Sequence, residues 1–182
     1  MEKYCLNGEE AVLMAIDIQE RLVPSMKYGE KVIQNTNILI SIMKKIGAPI
    51  IATEQYPKGL GKTVSDVSSN LDGSSTFEKS TFSGCTSEVT SALQVLGRKK
   101  IIITGMETHV CVFQTVRDLL SQGYQVFVAS DAVCSRTKEN YRNGLSLMSD
   151  MGAVISNTET LLFDILKQSG TPLFKELSKL IK

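Results

Sequence analysis

Apolar and polar positions along the chain follow two recurring patterns, short β-branched apolar runs and longer segments with helical spacing. The apolar runs predict strands at AVLMAID (11–17), PIIATE (49–54), KIIITG (100–105), YQVFVASD (124–131) and AVIS (153–156). Helical spacing predicts helices over 30–47, about 86–97, 107–123, 137–152, 157–166 and 171–181. Alternating strands and helices predict an α/β fold, a three-layer αβα sandwich around a doubly wound, mostly parallel sheet.

A polar stretch over 55–76 interrupts this alternation, and its weak periodicity predicts a long loop. The sequence has no internal repeat and no linker-like segment, so residues 1–182 are expected to form a single domain. The loop and the C-terminal helix at 172–181 exceed what one sheet needs for coverage. We therefore expect the chain to form a homo-oligomer.

Composition narrows the class of protein. Hydrophobic residues make up 42% and charged residues 21% of the chain, which is typical of a globular protein. The 20 Lys and Arg residues nearly balance the 19 Asp and Glu residues. This balance gives no electrostatic footprint for nucleic acid or for an acidic membrane surface. With no signal-peptide pattern and no membrane-length apolar run, a cytoplasmic location is expected.

The chain has four cysteines, at positions 5, 85, 111 and 134, and their spacing matches no zinc or redox motif. Cys111 differs from the others because it follows a predicted strand and lies near the start of a helix. Unpaired N–H groups and the positive end of the helix dipole favour a thiolate there and can stabilise an oxyanion. A buried, unreactive cysteine is the competing interpretation.

Asp17 and Lys79 are two further candidates. Asp17 ends a fully apolar strand, where a carboxylate is costly to bury without a partner or a chemical task, although a helix cap is equally compatible with this position. Lys79 follows the polar stretch. A lysine beside a thiol lowers its pKa, yet a lone lysine in a loop is more often a solvated surface group. In parallel sheets, ligands bind beyond the carboxyl ends of the strands, where these residues are expected to meet.

Three separated motifs together resemble the isochorismatase-like hydrolase superfamily: IDIQ (16–19), KSTFSG (79–84) and ITGMETHVCV (103–112). The segments at 117–136 and 144–166 continue the resemblance, which extends from about 11 to 166. TEQYPKGLG (53–61) is similar to the small isochorismatase domain-containing hydrolases in particular.

The resemblance implies a mechanism. Asp17 would act as the general base, Cys111 would attack an amide-like carbonyl to give a thioester, and Lys79 would orient the carboxylate. A non-proline cis peptide is implied at Met106–Glu107. The backbone N–H groups of Glu107 and Cys111 would then form the oxyanion hole.

This sequence differs from the family pattern at positions that decide which reactions of the superfamily it can catalyse. Metal-dependent nicotinamidases of the superfamily carry an Asp-x-His pair and a further histidine after the second strand, whereas this chain has TEQYP there and a single histidine, His109. No metal and no other cofactor is therefore expected. The cysteine argues against the vinyl-ether cleavage of true isochorismatases. His109 either lines the site or caps the turn, and the second role is favoured.

The placement of side chains near strand ends adds weaker candidates for contact with a small-molecule substrate: Gln19, Gln55, Tyr56, Phe82 and Thr108. The sequence thus predicts a cysteine hydrolase of a small substrate with an amide-like C–N bond, with no nucleic-acid or membrane partner. Two alternatives stay open, a weakly active or inactive binding and assembly module, and an isochorismatase-type vinyl-ether hydrolase.

Overall fold

A computed structural model describes residues 1–181. Its six strands are β1 (Ala11–Ile16), β2 (Ile50–Gln55), β3 (Ser75–Lys79), β4 (Lys100–Met106), β5 (Gln125–Cys134) and β6 (Val154–Ser156). They form one sheet in the order β3-β2-β1-β4-β5-β6, and every neighbouring pair is parallel. The predicted doubly wound parallel sheet is therefore confirmed.

Helices cover both faces of the sheet. They are α1 (Gly29–Lys45), α2 (Pro57–Leu60), α3 (Ser65–Ser68), α4 (Ser87–Leu96), α5 (Phe113–Ser121), α6 (Lys138–Asp150), α7 (Thr158–Leu166) and α8 (Pro172–Leu177). A π-helical turn, Thr108–Val112, precedes α5, and short 3₁₀ turns occupy Glu2–Tyr4, Gly8–Glu10, Val23–Ser25 and Ser178–Ile181. Within residues 1–181, no helix has the length and apolar content that crossing a lipid bilayer requires.

The alternating side chains of β1 explain the two layers. All six of its residues are buried, because a central parallel strand contacts helices on both faces. Leu13 faces the core that α1, α7 and α8 cover, whereas Met14 faces the core beneath α4, α5 and α6. The continuous apolar run in the sequence is thus the consequence of burial on both sides.

The predicted loop over 55–76 is wrong in part, since this stretch contains α2, α3 and the start of β3. β3 escaped prediction because it is an edge strand with mostly exposed polar side chains, and backbone pairing with β2 holds it. Val67 and Leu71 of the stretch are buried in the α1-side core, as is Leu177 of the C-terminal helix. Both segments pack against the core of their own chain. Their presence in addition to the elements that cover the sheet is therefore not a valid reason to expect an oligomer.

The strand order creates a switch point between β1 and β4. The chain moves outward from β1 to β2 and β3 on one side, then returns to β4 and continues to β6 on the other. Connections therefore diverge at the carboxyl ends of β1 and β4, which leaves a crevice where open α/β sheets bind ligands. Asp17 follows β1 directly, and the π-helical turn follows β4.

Gly105 permits the close approach of these two strand ends. Its φ is +118°, and a Cβ atom at this position would lie 1.9 Å from the carbonyl oxygen of Ile16. We expect Gly105→Ala to lower the free energy of unfolding by more than about 3 kcal/mol, because both the backbone and the contact must change. Gly97→Ala is the matched control, with φ of +65° and nothing within 4 Å of the added Cβ.

Urea denaturation of the two glycine variants measures the difference. Gly97→Ala is expected to lose about 1–2 kcal/mol, which is the cost of a left-handed conformation alone. Equal losses in the two variants would contradict the close packing of β4 against β1.

Candidate active site

Asp17 lies at the first residue after β1, with its carboxylate turned into the protein. It is fully buried, and its φ of 52° places the backbone in the left-handed region, which Asp and Asn adopt more readily than most residues. Thr53 of β2 fixes it twice: the Thr53 hydroxyl donates to Oδ1 at 2.7 Å, and the Asp17 N–H donates to the Thr53 carbonyl oxygen at 3.1 Å. The carboxylate is therefore held in one orientation.

Lys79 ends β3 and forms a buried ion pair with Asp17. Its Nζ lies 2.6 Å from Asp17 Oδ2, and both side chains are fully buried. The same ammonium donates to Gln55 Oε1 at 2.8 Å and to the carbonyl oxygens of Thr81 at 3.2 Å and Phe82 at 3.1 Å. Such additional hydrogen bonds are what a desolvated charge requires, so the pair is well compensated.

The sequence predicted that Cys111 lies near the start of an ordinary helix. In the structure it lies instead in the π-helical turn that precedes α5. Its side chain packs in the core beneath α4 and α5 and is 7% exposed. The Thr115 hydroxyl, one turn further along, donates to the Cys111 carbonyl oxygen at 2.6 Å. π-turns occur frequently at functional sites, because they change the direction of side chains within a helix.

Burial dominates the protonation of the two central groups. Desolvation raises the pKa of Asp17 above its usual value, and the charge and hydrogen bond of Lys79 partly offset this, as do the Thr53 hydroxyl and the neighbouring Cys111 side chain. Desolvation, followed by the Asp17 charge, raises the pKa of the Cys111 thiol to about 12. Lys79 acts in the expected direction on this thiol but is outweighed. Burial and the Asp17 charge therefore favour the protonated thiol at Cys111, which is opposite to the direction that a helix start alone favours.

We expect a loss of stability in alkaline solution from the buried thiols of Cys111 and Cys134 and the partly buried thiol of Cys85. Desolvation also raises the pKa of Cys134 to about 12 and that of Cys85 to about 11, from an ordinary value of 9.0. Folding therefore favours the protonated thiols. Their contribution to stability is complete below pH 9 and is lost as the pH rises through the folded pKa values, at about 1.4 kcal/mol per pH unit for each thiol.

Urea denaturation between pH 8 and pH 11 measures this effect. Cys134→Ala removes one of the titrating thiols, so the free energy of unfolding is expected to fall less steeply with pH than in the wild type. All other groups that titrate in this range are the same in both proteins. Identical slopes would show that the Cys134 pKa is not raised.

The turn between β4 and Cys111 has the cis peptide bond that the resemblance implied, between Met106 and Glu107. The Glu107 carboxylate accepts from Arg136 Nε at 2.9 Å. His109 Nδ1 lies 3.0 Å from the Ser135 hydroxyl, and the imidazole is half-buried. Both contacts tie the turn to the segment after β5.

The predicted pocket residues differ in their surroundings. Gln19 is buried, and its amide group donates to the carbonyl oxygens of Gln55 at 3.0 Å and Gly61 at 2.7 Å. Its Oε1 accepts from the Gln55 N–H at 2.8 Å, so Gln19 fastens the 55–61 segment. Tyr56 and Phe82 are 59% and 54% exposed, so their rings lie at the protein surface.

Thr108 and Gln55 lie closer to the ion pair and the nucleophile turn. Thr108 is fully buried, and its hydroxyl has no hydrogen-bond partner among the described residues. Gln55 contacts Lys79 directly and also donates from Nε2 to the Ser80 carbonyl oxygen at 2.9 Å. The structure thus brings Asp17, Lys79, Cys111 and Gln55 together.

Sequence reasoning missed Thr53 and Gly144 as supports of the site. A threonine within the apolar run of β2 was a visible signal for a buried hydrogen bond. Gly144 of α6 packs on the nucleophile turn, where an added Cβ would lie 2.9 Å from the Thr108 carbonyl oxygen. Nothing in the sequence indicated which element would cover that turn.

Comparisons with known proteins identify the family and the fold. The isochorismatase domain model matches residues 11–160. A secreted isochorismatase effector of Phytophthora sojae is 40% identical over 94% of this chain and 84% of its own. Isochorismatase domain-containing protein 1 of Danio rerio is 34% identical over 97% of this chain and 62% of its own.

Solved structures are similar over nearly the whole length. The MAR1 ribonuclease of Caenorhabditis elegans has a TM-score of 0.93 and 35% identity, covering 97% of this chain and 92% of that one. The Escherichia coli YcaC product is described as an octameric hydrolase of unknown specificity. It has a TM-score of 0.86 at 21% identity, and the match covers 91% of this chain and 83% of that one. The second likeness bears on the fold alone. The resemblance seen in the three sequence motifs is confirmed, and the chain belongs to the isochorismatase family of hydrolases.

Proposed function

We propose that the protein hydrolyses a small substrate with an amide-like C–N bond, with Cys111 as nucleophile and Asp17 as general base. The observation that carries the proposal is the buried Asp17 carboxylate, which Lys79 holds at 2.6 Å and which acts electrostatically on the Cys111 thiol. A base held by an orienting group and close enough to act on the nucleophile is the arrangement that covalent catalysis requires.

The first half of the reaction forms a thioester. Asp17 removes the thiol proton while the Cys111 sulfur bonds to the carbonyl carbon, and the C–N bond then breaks as Asp17 returns the proton to the leaving nitrogen. A thiol with a pKa of about 12 needs such a base at neutral pH. Burial raises the pKa of Asp17, which makes its carboxylate a stronger base than an exposed one.

The second half restores the enzyme. Asp17 takes a proton from water, whose oxygen attacks the thioester carbon. The C–S bond breaks, the acid product leaves, and the sulfur regains its proton from Asp17. Lys79 keeps the carboxylate in place through both halves and stabilises its negative charge. The backbone N–H groups of Glu107 and Cys111 serve as the oxyanion hole.

A small substrate fits this site better than a polymer. Asp17 and Lys79 are fully buried and Cys111 is 7% exposed, so the reacting carbonyl must enter a narrow space. Tyr56 and Phe82 provide an exposed aromatic rim, and the free Thr108 hydroxyl is available for a hydrogen bond to the substrate. One similar structure is named a ribonuclease. The net charge of +1 gives this chain little overall electrostatic attraction for RNA.

A screen of small amides, carbamates and esters tests the proposal. At least one compound is expected to be hydrolysed, with a rapid burst of the first product close to one molecule per active site before steady turnover. The same protein is tested against a vinyl ether and single-stranded RNA. Turnover of the vinyl ether or RNA alone, or no turnover of any compound, would overturn the proposal.

Three further properties belong to the same proposal: a single domain, a cytoplasmic location and assembly into a homo-oligomer. The description of a fold relative as an octamer supports the last of these. Light scattering of the eluting protein on a size-exclusion column is expected to give a multiple of the chain mass. A monomer at every concentration would contradict the assembly.

A further inference from the structure

A cavity of about 470 Å³ lies beside the nucleophile turn but does not contain the triad. It is bounded by the residues before and within the first turn of α1, the end of β5 and the start of α6. Asp17, Lys79 and Cys111 are not among its lining residues. Nothing in the proposed hydrolysis uses this space.

Positive charge dominates the cavity wall. Four basic side chains line it, Lys27, Lys31, Arg136 and Lys138, against one acidic side chain, Asp131. The Asp131 carboxylate is fixed at the start of α7, since its Oδ1 accepts from the Thr158 N–H at 2.8 Å and from the Thr158 hydroxyl at 2.9 Å. Its single negative charge is outnumbered by the four positive charges of the wall.

The lysines of the wall are free to bind an anion. Among the described residues, none of the three has an acidic partner within 4.0 Å. Like charges that face one space repel each other, and an anion with two negative charges relieves that repulsion. Such an anion would also compete with Glu107 for Arg136.

The start of α6 adds to this attraction. Thr137 caps the helix by accepting from the Asn140 N–H at 3.2 Å, and Thr137 and Lys138 both line the cavity. α6 has 13 residues, so its N-terminal N–H groups carry the partial positive charge of a full helix dipole. The N-terminus of α6 therefore adds partial positive charge to the wall that carries the four basic side chains.

Apolar and aromatic groups line the remaining surface. Tyr28 is exposed at the opening, and Tyr141 is fixed because its hydroxyl donates to the Ser130 carbonyl oxygen at 2.8 Å. Val32 and Val133 are buried beneath them. We propose that the cavity binds a small molecule that joins a phosphate-type dianion to a ring-sized apolar body.

Two residues of the cavity wall link this site to the nucleophile turn. Ser135 and Arg136 line the cavity, and their side chains are hydrogen-bonded to those of His109 and Glu107, respectively. Binding itself requires neither Asp17 nor Cys111. A failure of the cavity proposal is therefore distinguishable from a failure of the proposed hydrolysis.

Calorimetric titration with phenyl phosphate tests the proposal. Saturable binding is expected in the submillimolar range at low ionic strength, with weaker binding as salt is added. Phenol, which lacks the dianion, is expected not to bind. Cys111→Ala is expected to bind phenyl phosphate as the wild type does.

Charge reversal locates the site. Lys31→Glu with Lys138→Glu is expected to weaken binding at least about tenfold, because two attractive charges become repulsive. Lys175→Glu with Lys179→Glu is the matched control, since both lysines are exposed on the C-terminal segment outside the cavity. Circular dichroism checks folding, and Lys31→Ala with Lys138→Ala replaces the first variant if it does not fold.

Three results would overturn the proposal. They are the absence of saturable binding, equal weakening by the cavity variant and its control, and binding of phenol as strong as that of phenyl phosphate. Inorganic phosphate is titrated in parallel. If it binds as tightly as phenyl phosphate, the proposed apolar body is wrong.

Discussion

Replacing Cys111 with alanine is expected to lower any hydrolytic rate by at least about 10³-fold, because the covalent route disappears with the sulfur. The fold should survive, since Cys111 is a small side chain at the edge of a core that keeps its other members. Steady-state kinetics on a compound found in the amide screen measures the loss.

Cys134→Ala is the matched control for this variant. Cys134 is also buried, and burial raises its pKa to about 12 as well, but it is the last residue of β5 and packs in the opposite core. Its replacement is expected to leave the rate within about threefold of the wild type, since it contacts no group of the triad. Equal losses in the two variants would indicate general damage to the fold, and an active Cys111→Ala would remove the nucleophile from the account.

Lys79→Met is expected to lower the free energy of unfolding by about 3–5 kcal/mol, since it leaves the buried Asp17 without its charged partner. The pKa of Asp17 should rise further. The unfolded chain releases this proton above an ordinary pKa of about 3.9, so the deficit is expected to be larger at pH 8 than at pH 5. Urea denaturation at the two pH values measures both effects.

The double variant Asp17→Asn with Lys79→Met separates stability from catalysis. It contains no buried charge at this site, and asparagine tolerates the φ of 52° at position 17. Stability is expected to recover to within about 1–2 kcal/mol of the wild type, whereas activity stays lost because the base is absent. A stable Lys79→Met variant, or an active double variant, would contradict the roles of the pair.

The fold was predictable where burial leaves a pattern in the sequence. β1 and β4 are buried on both faces, so their continuous apolar runs are visible, and the helices between them show one apolar face. β3 left no such pattern, because an edge strand is held by backbone hydrogen bonds that any side chain permits. The π-turn at Cys111 was also invisible, since it differs from an α-helix by one hydrogen-bond step.

The proposed catalytic residues were predictable for a topological reason. Parallel strands bring their carboxyl ends to one edge, so Asp17 after β1 and Cys111 after β4 had to approach each other at the switch point. Lys79 needed the family resemblance, because its strand was not recognised. The protonation state of Cys111 was not predictable, since burial and the Asp17 charge arise only from packing.

Mass spectrometry of the acid-quenched reaction tests the covalent role of Cys111 most directly. The protein is mixed with a hydrolysed amide or ester, quenched during the first turnover and digested with pepsin at low pH, where thioesters persist. The acyl mass is expected on the peptide that contains Cys111, and hydroxylamine is expected to remove it. Turnover with no acyl group on that peptide, or with the acyl group on Cys5, Cys85 or Cys134 instead, would contradict the covalent role of Cys111.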